Sequence, residues 1–170
     1  NRLVWQDNRS GSWQIYFTEV ILPPVPVLYN VKEGLSVIAV TKGMKESYAN
    51  AFSLLSGWRG QFNVRSILVF DPTTGEMLQA DMDISGAASG ANFSLTENMA
   101  LMVYSDSSAA VSLGDMPECV PLNFNTGFNL ISVPCVPDNY TAFMMIQSMG
   151  VDRTISIARY DNTSGRWDTA

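Results

Sequence analysis

The stretch VRSILVFDPTTGEML, residues 64–78, has the pattern of a β-hairpin. An apolar run ends at Asp71, a turn sequence follows, and a second strand begins after Gly75. The proline after the aspartate fits the first corner of a type I turn, because its ring fixes φ at about −65°. The carboxylate can accept hydrogen bonds from amides two residues on, and glycine tolerates the left-handed conformation that returns the chain. The stretch therefore predicts two antiparallel strands with Phe70 opposite Met77.

The pattern Asp-x-x-(Ser/Thr)-Gly occurs three times, each time between apolar runs. The structural residues of the three predicted turns are Asp7, Gly11, Asp71, Gly75, Asp161 and Gly165. The same register predicts the cross-strand pairs Gln6 with Trp13 and Tyr160 with Trp167. A calcium loop is the alternative, but calcium takes about six to eight oxygen ligands and each turn offers one carboxylate. We therefore interpret all three turns as structural.

Three longer stretches recur in the same order along the chain, which indicates an internal repeat. The paired stretches are 29–40 with 122–134, 46–58 with 138–150, and 64–78 with 154–168. Each copy predicts two strands, a short helix, a strand, the turn and a final strand. The predicted helices are 47–56 and 141–150, with Ser47 and Asn139 as N-terminal caps. The predicted fold class is mainly β, with two related sandwich-like units that each contain one short helix.

The repeat divides the chain into three segments. Residues 1–27 form an N-terminal β segment, 28–116 the first repeat unit, and 117–170 a second, truncated unit. Residues 92–114 predict two or three further strands of the first unit, and the second unit has no counterpart to them. The predicted strands within 2–22 are surplus to both copies.

The composition argues against several classes of function. Charged residues make up 15% of the 170 residues, the net charge is −6, and the ten lysines and arginines form no cluster for nucleic acid. The chain contains no histidine, which excludes Ser-His-Asp and Cys-His nucleophilic catalysis and histidine-ligated zinc. No segment reaches the roughly 18–20 apolar residues of a membrane helix. We expect no enzymatic activity, no cofactor and no metal site.

Three other patterns have both a chemical and a structural interpretation. Asp81 and Asp83 can bind a cation or form an acid–base pair, but a solvated strand end is the preferred interpretation. The segment GAASGA (86–91) lacks the lysine and the helix start of a phosphate loop, so we expect a flexible surface loop. The tryptophans can form a sugar-stacking platform or pack at sheet edges, and they are Trp5, Trp13, Trp58 and Trp167.

Glycosylation sequons support an exported protein, and the two cysteines can form a disulfide provided that the compartment is oxidising. Cys119 and Cys135 bracket a stretch that predicts two strands joined by a turn at 125–127. If these strands pair, the cysteines lie nearly opposite each other, and a disulfide is favoured over two separate buried thiols. Four Asn-x-(Ser/Thr) sequons give candidate glycosylation sites at Asn8, Asn92, Asn139 and Asn162.

Part of the chain resembles a known type of β module. The stretch GFNLISVPCVPDNYTAFMMIQSMG (127–150), followed by ISIARYDNTSGRWD (155–168), is similar to a module of bacterial and archaeal surface proteins. That module has the pattern Gly-Trp-Asn-Leu-Ile-Ser-(Leu/Ile)-Pro, a helix, Tyr-Asp and a Gly-x-Trp turn. Phe128 stands where tryptophan is usual, and in the first copy no proline follows 35–38. The resemblance covers 28–170 and implies an extracellular, mostly β, non-catalytic accessory module.

The N-terminal stretch RLVWQDNRSGSWQIYF (2–17) resembles a blade segment of TolB-like β-propellers. In that family Trp-x-Asp-x-Arg-x-Gly-x-x-x-Ile-Tyr is frequent. The resemblance implies the end of a propeller, and the alternative is a third hairpin of the same turn design.

These observations together predict an extracellular or cell-surface structural or adhesive module within a secreted protein or an assembly. The truncated second unit exposes a sheet edge, and the surplus strands can fill it within the chain or in the next subunit, which would build a filament. A carbohydrate-binding accessory module is the alternative. The expected partners are other protein domains, copies of the chain itself or surface glycans, with no nucleic acid and no membrane insertion.

Overall fold

The computed structural model describes residues 2–7, 14–19, 28–112, 124–132, 140–150, 152, 154 and 156–169. Strand residues outnumber helical residues in these ranges, so the chain is mainly β, as the sequence predicts. The strands are β1 (Arg2–Asp7), β2 (Gln14–Glu19), β3 (Leu28–Val31), β4 (Gly34–Ala39), β5 (Val64–Asp71), β6 (Glu76–Met82), β7 (Ala88–Gly90), β8 (Ala100–Ser105), β9 (Ala109–Ser112), β10 (Ala158–Asp161) and β11 (Arg166–Thr169). The helices are α1 (Lys42–Ser47), α2 (Ala51–Phe62) and α3 (Ala142–Met149). None of the three has the length and apolar character that a membrane-spanning helix requires.

A five-stranded antiparallel sheet with the order β4-β8-β5-β6-β7 forms the centre of the described fold. Side chains alternate between its two faces because successive residues of a strand point to opposite sides. One face carries the buried residues Ile38, Ile67, Ala80, Leu101 and Val103. On the opposite face the described side chains are mostly half-buried or exposed, and the paired Ala39 and Ala100 are buried exceptions. Strand β4 and strand β7 are the two outer strands of this sheet.

Helix α2 covers the buried face of the sheet. Its inward side contributes Leu54, Leu55, Trp58 and Phe62, each at most 3% exposed. Residues spaced three and four apart lie on one side of a helix, so these four side chains meet the sheet together. Burying each such side chain stabilises the fold by about 1.5–3 kcal/mol. The largest part of the core therefore lies between α2 and strands β5, β6 and β8.

The helix predicted at 47–56 differs at both ends from the observed helix α2. Asn50 is the N-cap of α2, since its Oδ1 accepts from the Ser53 amide at 3.0 Å while the Ser53 hydroxyl accepts from the Asn50 amide at 3.1 Å. This reciprocal arrangement is a capping box and satisfies two amides that the helix leaves free. Ser47, the predicted cap, instead ends α1, which Thr41 caps. The first unit therefore contains two helices, and the expectation of one short helix per unit is wrong for it.

Two other local predictions are corrected by strand pairing. The segment 86–91, expected to be a flexible loop, contains β7, which pairs with β6 through Ala80 opposite Gly90. Strand β3 pairs with β9 instead of with its sequence neighbour β4. Val31 and Val111 are both buried in that ribbon, so the pairing is fixed by apolar burial between distant segments rather than by a local turn.

The N-terminal strands β1 and β2 pair with each other, but in a register that differs from the predicted one. Gln6 lies opposite Ile15, and Asp7 lies opposite Gln14, so six residues join the strands where four were expected. The prediction of Gln6 opposite Trp13 is therefore wrong. Loop length sets the register of a hairpin. The observed register places Trp5 opposite Tyr16.

The second unit has a helix and a hairpin in the predicted order, but residues 124–132, predicted to belong to two strands, contain only an isolated bridge between Ile131 and Met99. Helix α3 lies within the predicted range 141–150, but its cap is Thr141, which accepts from the Met144 amide at 3.2 Å, and the prediction of Asn139 as the cap is wrong. Strands β10 and β11 form the second hairpin. The order helix, strand, turn, strand is the same as in α2, β5 and β6. The duplication itself and the segment boundaries at 27/28 and 116/117 stay predictions.

Candidate functional site

The two Asp-x-x-(Ser/Thr)-Gly turns in the described ranges have the same geometry. The Oδ1 atom of Asp71 accepts from the Thr73 amide, and that of Asp161 accepts from the Thr163 amide, each at 2.8 Å. These backbone hydrogen bonds are the main reason that the pKa of each aspartate lies below its usual value. Each carboxylate thus holds its own turn together. Within the ranges that the structure covers, no three acidic, cysteine or histidine side chains converge as metal ligands.

Glycine closes both turns. Gly75 has φ +77° and Gly165 has φ +70°, and each donates its amide to the carbonyl of the aspartate four residues earlier at 2.8 Å. The flanking pairs are Phe70 opposite Met77 and Tyr160 opposite Trp167, the pairs that the sequence predicts. The Tyr160 and Trp167 rings meet edge-on with centroids 5.2 Å apart.

The two turns differ at the residue after the aspartate, and this difference creates an unexpected contact. The first turn has Pro72 there, and the second has Asn162. The Oδ1 of Asn162 accepts from the Val37 amide, and its Nδ2 donates to the Val37 carbonyl, both at 2.8 Å. Val37 lies on β4, opposite Met102 of β8, and its free backbone groups point away from the sheet. A side-chain amide therefore occupies the position of a neighbouring strand.

Two further hydrogen bonds fix the second hairpin on the outer side of β4. The Tyr160 hydroxyl donates to the Leu35 carbonyl at 3.1 Å, and the Lys32 Nζ donates to the Thr163 carbonyl at 2.7 Å. Burial is the main cause that raises the pKa of Tyr160, followed by the charges of Tyr104 and Asp161. The β4 edge, defined here as the outward backbone groups of Leu35 and Val37, is therefore closed by side chains of the second hairpin.

An open groove lies between the β3–β4 corner and the second hairpin. Its volume is about 570 Å³, and its lining includes Lys32, Glu33, Tyr160, Asn162 and Trp167. Trp167 is 43% exposed, whereas Trp58 is buried at 2% in the core. The side chains of Trp5 and Trp13 lie outside the described residues. The predicted platform of several tryptophans is thus reduced, in the described ranges, to one exposed indole beside a tyrosine.

The other outer strands differ from β4 in length, exposure and pairing. Strand β7 has three residues, and a side chain at Gly90 would collide with the backbone of Gln79 on the paired strand β6, so this edge is short and glycine lets the two strands approach closely. Strand β11 has four residues, all exposed. Its described pairing is with β10 alone, and that of β1 is with β2 alone. The ribbons β1–β2 and β3–β9 also have unpaired outer sides, but β11 is the one strand, among those whose side chains the structure describes, whose residues are all exposed.

Asp81 and Asp83 do not form an acid–base pair with each other. The Oδ1 of Asp81 accepts from the Ser66 hydroxyl at 2.5 Å and from the Gln79 Nε2 at 2.7 Å. Asp83 accepts from the hydroxyl and amide of Ser85 and from the Ala87 amide. The Ser85 hydroxyl is the main cause that lowers the pKa of Asp83. Both carboxylates are engaged in local hydrogen bonds.

Several predicted site residues fall outside the described ranges, and they are Asn8, Gly11, Cys119, Cys135 and Asn139. The turn predicted at 125–127 is closed by the Asn129 side chain, which accepts from the Asn125 amide and donates to its carbonyl. Phe128 then packs edge-on against Phe70 with ring centroids 4.8 Å apart.

Sequence reasoning missed the roles of Asn162 and Tyr160 at the β4 edge. The available signal was the replacement of proline by asparagine in an otherwise repeated turn, because proline has no polar side chain to reach a neighbouring strand. This replacement identifies Asn162 as unusual, but it does not identify its partner Val37, which lies 125 positions away in sequence.

The fold and the site define a mainly β chain in which side chains close the β4 edge and the outer strand β11 is fully exposed. No family model, no curated protein and no solved structure matches the chain.

Proposed function

We propose that the chain is a non-catalytic structural or adhesive module of a secreted or surface protein that assembles by β-strand donation. The observation that carries this proposal is strand β11, whose residues Arg166–Thr169 are all exposed and whose described pairing involves only one of its sides. An unpaired strand presents a row of free amides and carbonyls that recruits a further strand.

The N-terminal hairpin is the donor. Strands β1 and β2 pair only with each other among the described strands, so they belong to neither the five-stranded sheet nor the second hairpin. Each has an outer side with free backbone groups, and their sequence combines aromatic and β-branched residues, which favour strand pairing. Main-chain hydrogen bonds then supply affinity, and alternate side chains supply specificity.

Donor and acceptor lie on one chain but in different strand pairs. A contact of this kind is head-to-tail, and such contacts give an open helical filament when they do not close into a ring. The β4 edge is closed and β7 has three residues, so we take β11, whose residues are all exposed, as the acceptor.

The extracellular location rests on the composition, the four sequons and the resemblance to surface modules. A disulfide between Cys119 and Cys135 belongs to the same proposal. Mass spectrometry of peptides from the unreduced protein tests it directly, and two free thiols in protein isolated under oxidising conditions would contradict the oxidising compartment.

Deletion of residues 1–22 tests strand donation. The deleted chain keeps the acceptor but has no donor, so we expect it to stay monomeric on a sizing column, where the full chain elutes as larger species. It should also cap growing ends, and a small fraction of it mixed with full chains should shorten the assemblies. Unchanged assembly after the deletion contradicts the proposal.

A matched substitution controls for nonspecific effects of the deletion. Val4→Pro removes one backbone donor from β1 and should weaken assembly, because proline disrupts a strand ladder. Pro72→Ala lies in a turn far from the proposed contact in sequence and should leave assembly unchanged.

The carbohydrate-binding alternative is favoured by one observation, the groove that Trp167 and Tyr160 line with polar neighbours Lys32, Glu33 and Asn162. Sugars stack on exposed aromatic faces. A fluorescence titration with oligosaccharides should quench Trp167 if this function holds, and Trp167→Ala should abolish the change. Buried Trp58 gives a constant background signal. Saturable quenching without filament formation would select this alternative.

A further inference from the structure

The two described sequon asparagines use their side-chain amides in different ways. Asn162 uses both ends of its carboxamide on Val37, with Oδ1 accepting and Nδ2 donating at 2.8 Å each. Asn92 is exposed and uses only Oδ1, which accepts from the Phe52 amide at 3.1 Å in the first turn of α2. Within the described ranges, the Nδ2 of Asn92 has no hydrogen-bond partner.

The two-point contact at Val37 requires one particular hydrogen of Asn162. A carboxamide can pair with the N–H and C=O of the same strand residue only through Oδ1 and the Nδ2 hydrogen on the same side of the C–N bond. The other hydrogen points away from β4. The Oδ1 end cannot be exchanged with the Nδ2 end, since an NH₂ group facing the Val37 amide would place two donors together.

N-glycosylation removes that hydrogen. A bond forms between Nδ2 and the anomeric carbon of a lipid-linked oligosaccharide, the bond from that carbon to the pyrophosphate breaks, and Nδ2 releases a proton. The product is a secondary amide, which strongly prefers the trans arrangement. In the trans arrangement the sugar lies on the same side of the C–N bond as Oδ1. That position is the one occupied by the hydrogen that Asn162 donates to the Val37 carbonyl.

We propose, resting on the secreted location proposed above, that the two described sequons are not equivalent: of the two, Asn92 is the glycan acceptor in the folded chain, whereas a glycan on Asn162 and the closed β4 edge exclude each other. A sugar on Asn92 leaves its Oδ1 bond to the Phe52 amide in place. A sugar on Asn162 displaces the second hairpin from β4, and the contacts of Tyr160 with Leu35 and of Lys32 with Thr163 are lost with it.

Hydrogen exchange in unmodified full-length chains gives the first test. Asn162→Asp keeps an acceptor for the Val37 amide but sets a second oxygen against the Val37 carbonyl, so we expect the Val37 amide to exchange at least tenfold faster. Asn92→Asp is the matched control, because it keeps the acceptor for Phe52, and exchange at Val37 and in α2 should be unchanged. Unaltered exchange at Val37 in Asn162→Asp overturns the inference.

Glycoforms give the second test. The full chain is secreted from yeast, the sugars are mapped on peptides containing Asn92 and Asn162, and exchange is measured in the peptide containing Val37. We expect a glycan on Asn92 with Val37 still protected, and loss of that protection in every molecule glycosylated at Asn162. Protected Val37 in an Asn162 glycoform, or a chain without sugar on Asn92, contradicts the inference. Neither readout depends on strand donation, so the two proposals fail separately.

Discussion

Replacing Gly75 by alanine measures what the left-handed backbone conformation at the end of the turn costs a residue other than glycine. Gly75 has φ +77°, and a Cβ atom added there meets nothing within 4 Å, so any cost comes from the backbone and not from a collision. An L-residue in the left-handed region costs roughly 1–2 kcal/mol. About 1 kcal/mol shifts Tm by roughly 2–4 °C in a chain of 150–250 residues. We therefore expect Gly75→Ala to lower Tm by about 2–8 °C, and Gly75→Asn to lower it less, since asparagine tolerates this conformation better.

Gly60→Ala is the matched control within the same unit. Gly60 lies in α2 without a left-handed φ, and a Cβ there also meets nothing within 4 Å. Alanine should therefore stabilise the helix by about 0.5–1 kcal/mol and raise Tm. Thermal unfolding followed by circular dichroism, with calcium and with a chelator, measures both variants. An unchanged Tm in Gly75→Ala refutes the backbone role, and a wild-type Tm that rises with calcium supports the rejected metal loop.

Three further predictions concern the core helix and the turns. Gly57→Ala should destabilise the protein relative to Gly60→Ala by about 1–3 kcal/mol in urea unfolding, because its Cβ would overlap the Tyr48 ring. Asn63, which ends α2 at φ 49°, should tolerate glycine with equal or higher Tm, whereas alanine should cost about 1 kcal/mol. The carboxylates of Asp71 and Asp161 have lowered pKa values, so their contribution is present above the unfolded pKa near 3.8 and is lost as pH falls through the folded value. A Tm profile across acid pH should fall below about pH 4, and Asp71→Asn should flatten that fall.

The sequence predicted features that depend on neighbouring residues. The hairpin at 64–78 has the predicted pairing of Phe70 with Met77, because a four-residue turn sets the register. Helix α3 was also placed within a residue of its observed ends. In both cases the responsible pattern, a turn sequence or the helical spacing of apolar residues, lies within a few positions, although the predicted cap of α3, Asn139, is wrong and Thr141 is the cap.

Features that depend on distant residues were not predictable in the same way. The pairing of β3 with β9 and the closure of the β4 edge by Asn162 join segments about 80 and 125 positions apart. The start of α2 was missed for a different reason. Both Ser47 and Asn50 are good caps, and the choice between them depends on the reciprocal bond from Ser53 and on a separate cap at Thr41.

Negative-stain electron microscopy of the purified full chain tests the proposal of strand donation most directly. If β1 or β2 of one copy completes the sheet at β11 of the next, the images will show rods of uniform width that shorten when chains lacking residues 1–22 are added. Single particles of monomer size at every protein concentration would contradict it.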